Sequence, residues 1–371
     1  MISLEKLWEC PMENDFPEGL LVLIESINRD ASLNRVLEIE VEQRIRRFLR
    51  NRWEILQFLH ENNEISSEQI IAPVFIVGLG RTGSTFLSYL LNEDKKNRSM
   101  LAWEAMNSVP RSEGGSFGRD FRIREIQCEY DEFDRRYPRS KLGHYEDAET
   151  PVECVYLFAQ DFKSIMFEGL PNLRIPTYGE WLQNCDFTSS YEFHMNVLRV
   201  LQKQRRGRWM LKSPQHSLSL SLLKSFYPDA FLINTHRDPV AAYHSAINQA
   251  MLTSGDNAVH QEYLRKRFLS LIVNMVDKIL QFREQDQTSV VDLNYLEFLQ
   301  DPIGSVKKIY GELGEQLDED TEKRIITYCR NNPRYKYGHY SYSIKDSGIP
   351  SDILDLFSCY RDRFGVPKEC H

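Results

Sequence analysis

The chain has 371 residues, of which 42% are hydrophobic and 12% aromatic, and it carries a formal net charge of -8 at neutral pH. This length suffices for one large α/β domain with an accessory segment, and the apolar content is typical of a globular protein. The acidic balance disfavours general nucleic-acid binding, which usually needs an excess of basic charge.

Residues 1–68 are predicted to form an N-terminal helical cap. Apolar residues recur at helical spacing between positions 17 and 62, beginning with Leu20, Leu23 and Ile24, and they indicate two or three helices. We expect the cap to pack against the domain that follows and to contribute no chemistry of its own.

Residues 69–371 are predicted to form a single α/β domain. Strand-like and helical segments alternate there, which predicts a P-loop-like parallel sheet with helices on both faces. Residues 105–207 are expected to form a largely helical insertion over the site. In chain order the predicted elements are strand 73–78, helix 84–93, strand 208–212, helix 217–226, strand 230–235, helix 239–251 and strand 289–293.

A glycine-rich turn follows the first predicted strand and leads into a helix. Backbone N–H groups and a helix N-terminus face an anion in such a turn, so the pattern predicts a phosphate-binding loop. Gly78 and Gly83 have Walker A spacing, but Ser84 stands where the lysine of nucleoside-triphosphate sites belongs. Because kinases need that lysine, the loop indicates another phosphate-containing donor. The loop residues expected to bind it are Gly80, Arg81, Thr82, Gly83, Ser84 and Thr85.

A second segment supplies further cationic candidates. Lys212 ends a predicted strand and opens a Lys-Ser-Pro-Gln-His run that closes with His216. After the next predicted strand comes Arg237, with Ser245 eight residues later. Ligands gather at the carboxyl ends of strands in open α/β sheets, so Lys212 is expected to lie at the site.

Taken in chain order, these motifs resemble those of sulfotransferases that use 3′-phosphoadenosine-5′-phosphosulfate (PAPS). The resemblance runs from about Ile70 to Val366 and is to the bacterial small-molecule branch, which is related to the tyrosylprotein sulfotransferases. It implies in-line transfer of a sulfuryl group from PAPS to a hydroxyl or amine, with 3′,5′-adenosine bisphosphate as the product. It also implies a small-molecule acceptor of secondary metabolism rather than a protein or a polysaccharide.

The resemblance assigns roles to individual residues. Arg81 would contact the phosphosulfate, whose oxygens match a guanidinium fork. Lys212 would lie near the transferring group and stabilise the leaving charge, while Arg237 and Ser245 would bind the 3′-phosphate. Gly80 departs from the family, which usually has proline there. The hydroxyls that would complete the phosphate cradle belong to Thr82, Ser84 and Thr85.

Three residues are candidates for the base that deprotonates the acceptor. Glu104 follows the first loop's helix much as the base glutamate of tyrosylprotein sulfotransferases does, and a carboxylate beside Trp103 in a closed pocket would have a raised pKa. His144 lies about as far beyond the loop as the catalytic histidine of the cytosolic branch, and His216 is the third candidate. Glu153 is expected to orient one of these. We place Glu104 first and His144 second, and the choice stays open.

Two other functions remain open at this point. A P-loop kinase with a degenerate loop would bind triphosphate and magnesium, and a non-catalytic protein would bind PAPS or its product without turnover. No metal is expected, because neither a C-x-x-C pair nor histidines at zinc-binding spacing occur in the sequence.

Cysteine usage and hydropathy predict a cytoplasmic protein. The seven cysteines are scattered, and their odd number disfavours a disulfide framework. No apolar run approaches the ~20 residues that a bilayer span needs, and the start lacks the pattern of a signal peptide. We therefore expect no membrane or nucleic-acid partner, and the oligomeric state stays open.

Overall fold

One parallel sheet organises the chain. The structure is a computed structural model that describes residues 2–7, 17–110, 121–143, 145–254, 257–285, 290–333 and 349–369. Within these residues the sheet has five strands in the order β2-β3-β1-β4-β5, and every pairing is parallel. The strands are β1 (Val74–Gly78), β2 (Asn97–Ser99), β3 (Arg208–Lys212), β4 (Phe231–His236) and β5 (Val290–Asn294).

Helices surround the sheet, and none of those in the described part of the chain combines the length and apolar character that a bilayer span requires. Short 3-10 helices occur at Asn63–Ser67, Ile165–Gly169 and Pro214–Leu218. The α-helices are α1 (Leu4–Leu7), α2 (Glu18–Asp30), α3 (Arg35–Glu61), α4 (Ser84–Asn92), α5 (Ala102–Met106), α6 (Phe121–Arg136), α7 (Ser140–Gly143), α8 (Val155–Gln160), α9 (Pro176–Leu182), α10 (Thr188–Gln204), α11 (Leu220–Phe226), α12 (Pro239–Ser254), α13 (Ala258–Gln285), α14 (Tyr295–Gln300), α15 (Pro302–Glu312), α16 (Glu319–Asn331) and α17 (Ser351–Phe364).

Alternation along β1 explains why both faces of the sheet are covered. All five residues of this central strand are buried, as expected for a strand of a parallel sheet between two helical layers. Val74 and Ile76 join one apolar core together with Leu87 of α4, whereas Phe75 and Val77 join the other. This arrangement confirms the predicted α/β class.

The N-terminal helices α2 and α3 cover the Phe75 face. Leu23 of α2 and Phe48 of α3 belong to the same core as Phe75, so the cap and the sheet share one apolar interior. The helix α3 begins after Asn34, whose side-chain oxygen accepts a hydrogen bond from the Leu37 backbone N–H at 2.9 Å. The helical cap is thus confirmed, while the domain boundary at residue 68 stays a prediction.

The short strand β2 is the element that the sequence pattern misses. Its residues, Asn-Arg-Ser, have low β-propensity, yet all three are buried. Pairing with β3, in which Asn97 lies opposite Arg208, holds the strand in place. The Asn97 side-chain amide also donates to the Leu91 carbonyl at 2.8 Å. Tertiary contacts therefore override the local preference.

Gly78 is required by the close approach of β4. Its φ is 119°, and a Cβ added there would lie 2.4 Å from the carbonyl oxygen of Thr235. Gly80, two residues later in the loop, differs because an added Cβ would meet nothing within 4 Å. The contacts around position 78 therefore require glycine, whereas those around position 80 do not.

We predict that Gly78→Ala lowers the free energy of unfolding by about 2–4 kcal/mol, because it adds backbone strain to a clash with β4. The matched variant Gly80→Ala should change stability by no more than ~1 kcal/mol. Urea denaturation followed by circular dichroism measures both. Equal losses in the two variants would contradict this account of Gly78.

Candidate active site

The phosphate-binding loop lies between the end of β1 and the start of α4. Gly83 has a φ of 83° and precedes Ser84, the first residue of the helix. Arg81 has a φ of 66°, which is uncommon for a non-glycine residue and occurs often at functional sites. Thr82 is buried, and its hydroxyl bonds the Leu79 carbonyl at 2.8 Å and the Thr235 hydroxyl at 2.6 Å. These contacts fasten the loop to β4.

Arg81, Ser245 and Arg237 form a single cluster. The Nε of Arg81 donates to the Ser245 hydroxyl at 3.1 Å, and Nη1 of Arg237 donates to the Arg81 carbonyl at 3.0 Å. Arg81 is thus brought into contact with two residues more than 150 positions later in the sequence, as the predicted donor site requires.

Two residues that the sequence reasoning did not connect with Arg237 hold its guanidinium. Glu369 accepts two parallel hydrogen bonds, from Nε and Nη2, both at 2.8 Å. The ring of Tyr295 lies beneath the guanidinium, with 4.4 Å between Cζ and the ring centroid. Both Arg237 and Glu369 are buried. No motif signals Glu369, because the contact joins the C-terminal segment to the residue after β4, across 132 residues.

The Glu369 segment is itself anchored beside the site. The Glu369 backbone N–H donates to Oδ2 of Asp238 at 3.0 Å. The other carboxylate oxygen of Asp238 accepts from Arg361 of α17 at 3.2 Å. These hydrogen bonds hold the segment that carries Glu369 in place, so that its side-chain carboxylate lies against Arg237.

Lys212 ends β3 and reaches the loop. Its Nζ donates to the Thr85 hydroxyl at 3.2 Å and to Oε1 of Glu153 at 3.1 Å, and the lysine side chain is only 2% exposed. The Glu153 side chain is 23% exposed, and none of the described residues hydrogen-bonds to its Oε2. Glu153 is thus the partly exposed carboxylate that the structure places beside Lys212 and the loop.

Glu104, the first candidate for the base, is committed to a buried ion pair. Its Oε1 accepts from Arg98 at 2.7 Å, and its Oε2 accepts from the Leu101 backbone N–H at 3.0 Å. Burial lowers the pKa of the Arg98 guanidinium, and the Glu104 carboxylate opposes that change. These contacts give Glu104 a structural role and do not favour the predicted role of base.

The two histidine candidates have different outcomes. His216 is fully buried, its Nδ1 lies 2.8 Å from the Tyr191 hydroxyl, and its ring packs edge-on against Phe75. Burial lowers the pKa of His216 well below 6.5, so protonation of this ring is strongly disfavoured. His144 lies outside the described residues. The carbonyl of Gly143, which precedes it in sequence, accepts from Nη1 of Arg81 at 3.4 Å.

A cavity of about 750 Å³ is lined by α6 and by the segment that follows α7. The Tyr145 carbonyl in its wall accepts from the Tyr89 hydroxyl of α4 at 3.5 Å, which places this wall beside the helix that follows the loop. The lining combines apolar and acidic side chains. It consists of Phe121, Ile123, Arg124, Gln127, Cys128, Asp131, Tyr145, Asp147 and Glu149.

Comparison with known proteins identifies the class of enzyme to which this site belongs. The model of the family described as "Sulfotransferase family" matches residues 73–319, about two thirds of the chain. The chain therefore belongs to the sulfotransferase family and is a transferase. The resemblance inferred from the loop and from the Arg237–Ser245 pair is confirmed. The family implies PAPS as the co-substrate.

Three similar proteins are from mycobacteria. The chain is 26% identical over 319 residues to the omega-hydroxy-beta-dihydromenaquinone-9 sulfotransferase Stf3 of Mycobacterium bovis, covering 81% of this chain and 78% of the relative. It matches the crystal structure of the sulfotransferase STF9 of Mycobacterium avium with a TM-score of 0.84, 26% identity and coverage of 99% and 96% of the two chains. The sulfotransferase STF1 of Mycobacterium tuberculosis H37Rv shares the fold, with a TM-score of 0.71, 24% identity and coverage of 94% and 91%.

Proposed function

We propose that this sulfotransferase transfers the sulfuryl group of PAPS to a hydroxyl or amine of a small molecule by in-line displacement. The observation that carries the proposal is the contact of Arg81, Ser245 and Arg237 beside a loop that Lys212 also reaches. A donor with phosphate at two positions of one nucleoside needs two cationic sites close together. The loop and the Arg237–Ser245 pair supply them.

In this proposal the site residues bind or stabilise the negative charges of the donor. The backbone of residues 80–85 and the N-terminus of α4 hold the 5′-phosphosulfate, and Arg81 and Lys212 stabilise the negative charge that develops on the leaving phosphate. Arg237 and Ser245 bind the 3′-phosphate. Lys212 already contacts Thr85, so its ammonium is aligned with the loop before the donor arrives.

The acceptor is proposed to enter through the cavity lined by α6 and residues 145–149. Phe121 and Ile123 in its lining would contact apolar parts of an acceptor, and its carboxylates would accept hydrogen bonds from a hydroxyl or amine. The named relative Stf3 acts on a hydroxyl-bearing menaquinone, which supports an alcohol as the accepting group. We also propose action in secondary metabolism and in the reducing cytoplasm, the latter from the odd number and scatter of the cysteines.

The donor site is tested by calorimetric titration with 3′,5′-adenosine bisphosphate in parallel with magnesium-ATP. The bisphosphate should bind and magnesium-ATP should bind far more weakly. Arg237→Ala should weaken bisphosphate binding about 10- to 100-fold, because a charge-assisted hydrogen bond contributes about 1.5–3 kcal/mol. Ser245→Ala should weaken it less, and the exposed control Arg206→Ala should not change it.

Binding of magnesium-ATP without the bisphosphate would replace this proposal with the kinase hypothesis. Bisphosphate binding without transfer of label from PAPS to any acceptor in a broad screen would favour a non-catalytic binding protein. Circular dichroism of Arg237→Ala shows whether its loss of binding reflects loss of fold.

Glu153 is proposed as the base in place of Glu104. The geometry supports it, because Glu153 is partly exposed and lies beside Lys212, whereas both oxygens of Glu104 are engaged. We predict that Glu153→Gln lowers kcat by about 10²-fold or more, the usual contribution of a general base. The glutamine can still accept a hydrogen bond from Lys212 but cannot take a proton.

The matched variant Glu104→Gln should lower the free energy of unfolding while leaving the pH profile of kcat unchanged, since it unpairs the buried Arg98. Rates are measured across pH with labelled PAPS and an acceptor from the screen. If Glu153→Gln keeps the wild-type kcat, Glu153 only positions Lys212, and His144 becomes the leading candidate.

Glu369 is proposed to compete with the 3′-phosphate for Arg237. Its carboxylate occupies two donors of the guanidinium in the fork geometry that a phosphate would use. We predict that Glu369→Gln tightens bisphosphate binding about 10-fold, because a neutral amide is displaced more easily than a paired carboxylate. Titration calorimetry measures the change, with the exposed Asp362→Asn of α17 as the control. Weaker binding by Glu369→Gln would show instead that Glu369 holds Arg237 in its binding position.

A further inference from the structure

Three metal-ligating side chains from separate segments meet in the interior behind the active site. Cys154 precedes α8, His194 lies within α10, and His216 lies in the 3-10 helix that follows β3. All three are fully buried. The Cys154 sulfur and one nitrogen from each imidazole lie within 4.8 Å of one another. We call these three residues the Cys-His-His cluster.

Each imidazole uses one nitrogen on a tyrosine and leaves the other without a partner. Nδ1 of His194 lies 2.8 Å from the Tyr227 hydroxyl, and Nδ1 of His216 lies 2.8 Å from the Tyr191 hydroxyl. Among the described residues, neither Nε2 has a hydrogen-bond partner. A buried polar atom left unsatisfied costs about 1–3 kcal/mol, so these two nitrogens require an explanation.

The surroundings of the cluster are apolar. Phe158 packs against both histidine rings, with centroid separations of 5.7 Å to His194 and 5.3 Å to His216, and Phe75 lies 5.1 Å from His216. An interior of this kind offers no solvent to the two nitrogens. A bound species that accepts lone pairs from nitrogen and sulfur would satisfy them.

We propose that the Cys-His-His cluster binds a thiophilic metal ion with a filled d shell, Zn²⁺ or Cu⁺. One thiolate and two imidazoles are ligands that both ions accept. On binding, the Cys154 thiol gives up its proton to solvent, the thiolate sulfur and both Nε2 atoms donate lone pairs to the metal, and no electron is transferred. The tyrosines then act as outer partners that fix the orientation of each ring, as is usual for metal-bound histidine.

Distances and charge are compatible with this assignment. Zinc binds sulfur at about 2.3 Å and nitrogen at about 2.0–2.1 Å, which places its ligand atoms roughly 3.3–3.7 Å apart. A separation below 4.8 Å therefore needs only small side-chain movements. With Cu⁺ the site is electrically neutral, and with Zn²⁺ one positive charge remains for a fourth ligand to offset.

The proposed metal is structural and takes no part in sulfuryl transfer. The Cys154 backbone N–H donates to the Lys212 carbonyl at 2.9 Å, and Glu153 is the adjacent residue. A metal held by Cys154, α10 and the 3-10 helix would therefore fix the backbone behind Lys212. Spacing rules cannot find such a site, because its ligands are 40 and 22 residues apart in sequence.

Cobalt substitution tests the proposal independently of enzyme activity. The full chain is treated with chelator under reducing conditions and titrated with Co²⁺, and the expected result is one equivalent bound with a thiolate-to-cobalt charge-transfer band in the near ultraviolet. Cys154→Ser should abolish the band. The control Cys185→Ser, which alters another free thiol, should keep it.

Direct metal analysis distinguishes the two ions and decides the case where Cys154→Ser does not fold. The purified wild-type chain should contain one equivalent of zinc or copper. If it has lost the metal, it should regain one equivalent when Zn²⁺ is added, or when Cu⁺ is added in competition with a Cu⁺-specific chelator. The metal-bound chain should also melt at a higher temperature than the stripped chain. Failure of the wild-type chain to bind Zn²⁺, Cu⁺ or Co²⁺ stoichiometrically overturns the proposal.

Discussion

The parallel pairing of β1 with β3 and β4 is the constraint on which the site depends. Ile76 lies opposite Lys212 on one side and Ile233 on the other, and Gly78 lies opposite Thr235. Strands aligned in this way end at the same edge, so the loop after β1, the lysine that ends β3 and the arginine that follows β4 emerge together. A register shift of one residue would turn every side chain to the opposite face and disperse the cluster.

The protein is acidic overall, but three cationic side chains lie together at the carboxyl edge of the sheet. Each cation already has an internal partner. Lys212 is paired with Glu153, Arg237 with Glu369, and Arg81 contacts the Gly143 carbonyl and the Ser245 hydroxyl. If the donor binds these cations as proposed, its binding is an exchange of partners rather than the neutralisation of unpaired charges, and its affinity is the difference between the two sets of contacts. Such an exchange favours a ligand with two phosphate groups over one that can satisfy only a single cation.

Local patterns in the sequence predict much of the fold, and long-range contacts account for what they miss. The predicted strands agree with the structure to within one residue at either end, because buried apolar runs bounded by turns are a local signal. The strand β2 is polar and is held only by pairing with β3. The predicted helix at 217–226 begins instead at Leu220, after a 3-10 helix that starts at Pro214. Proline fits the first turn of either kind of helix and does not distinguish them.

The same distinction applies to the candidate site. Arg81, Arg237 and Ser245 follow from motif and spacing, and the structure brings them together. The partner of Glu104 does not follow in this way, because Arg98 lies six residues earlier on β2, the strand that the pattern misses. A carboxylate at a plausible position in sequence can therefore belong to the scaffold. Its function is decided by which cation it neutralises.

Glu104 and Glu153 show how the surroundings of a carboxylate can separate a structural role from a functional one. Both carboxylates accept hydrogen bonds from buried cations, but Arg98 is enclosed by protein and lies 4.3 Å from the Trp209 ring, whereas Lys212 reaches the phosphate loop. A proton acceptor must reach the incoming hydroxyl or amine, and of these two carboxylates it is that of Glu153 that is partly exposed. If Lys212 shifts its ammonium toward the leaving phosphate as negative charge develops there, its hold on Glu153 weakens. In the proposed mechanism, one lysine would thereby link charge stabilisation on the leaving side to release of the Glu153 carboxylate on the attacking side.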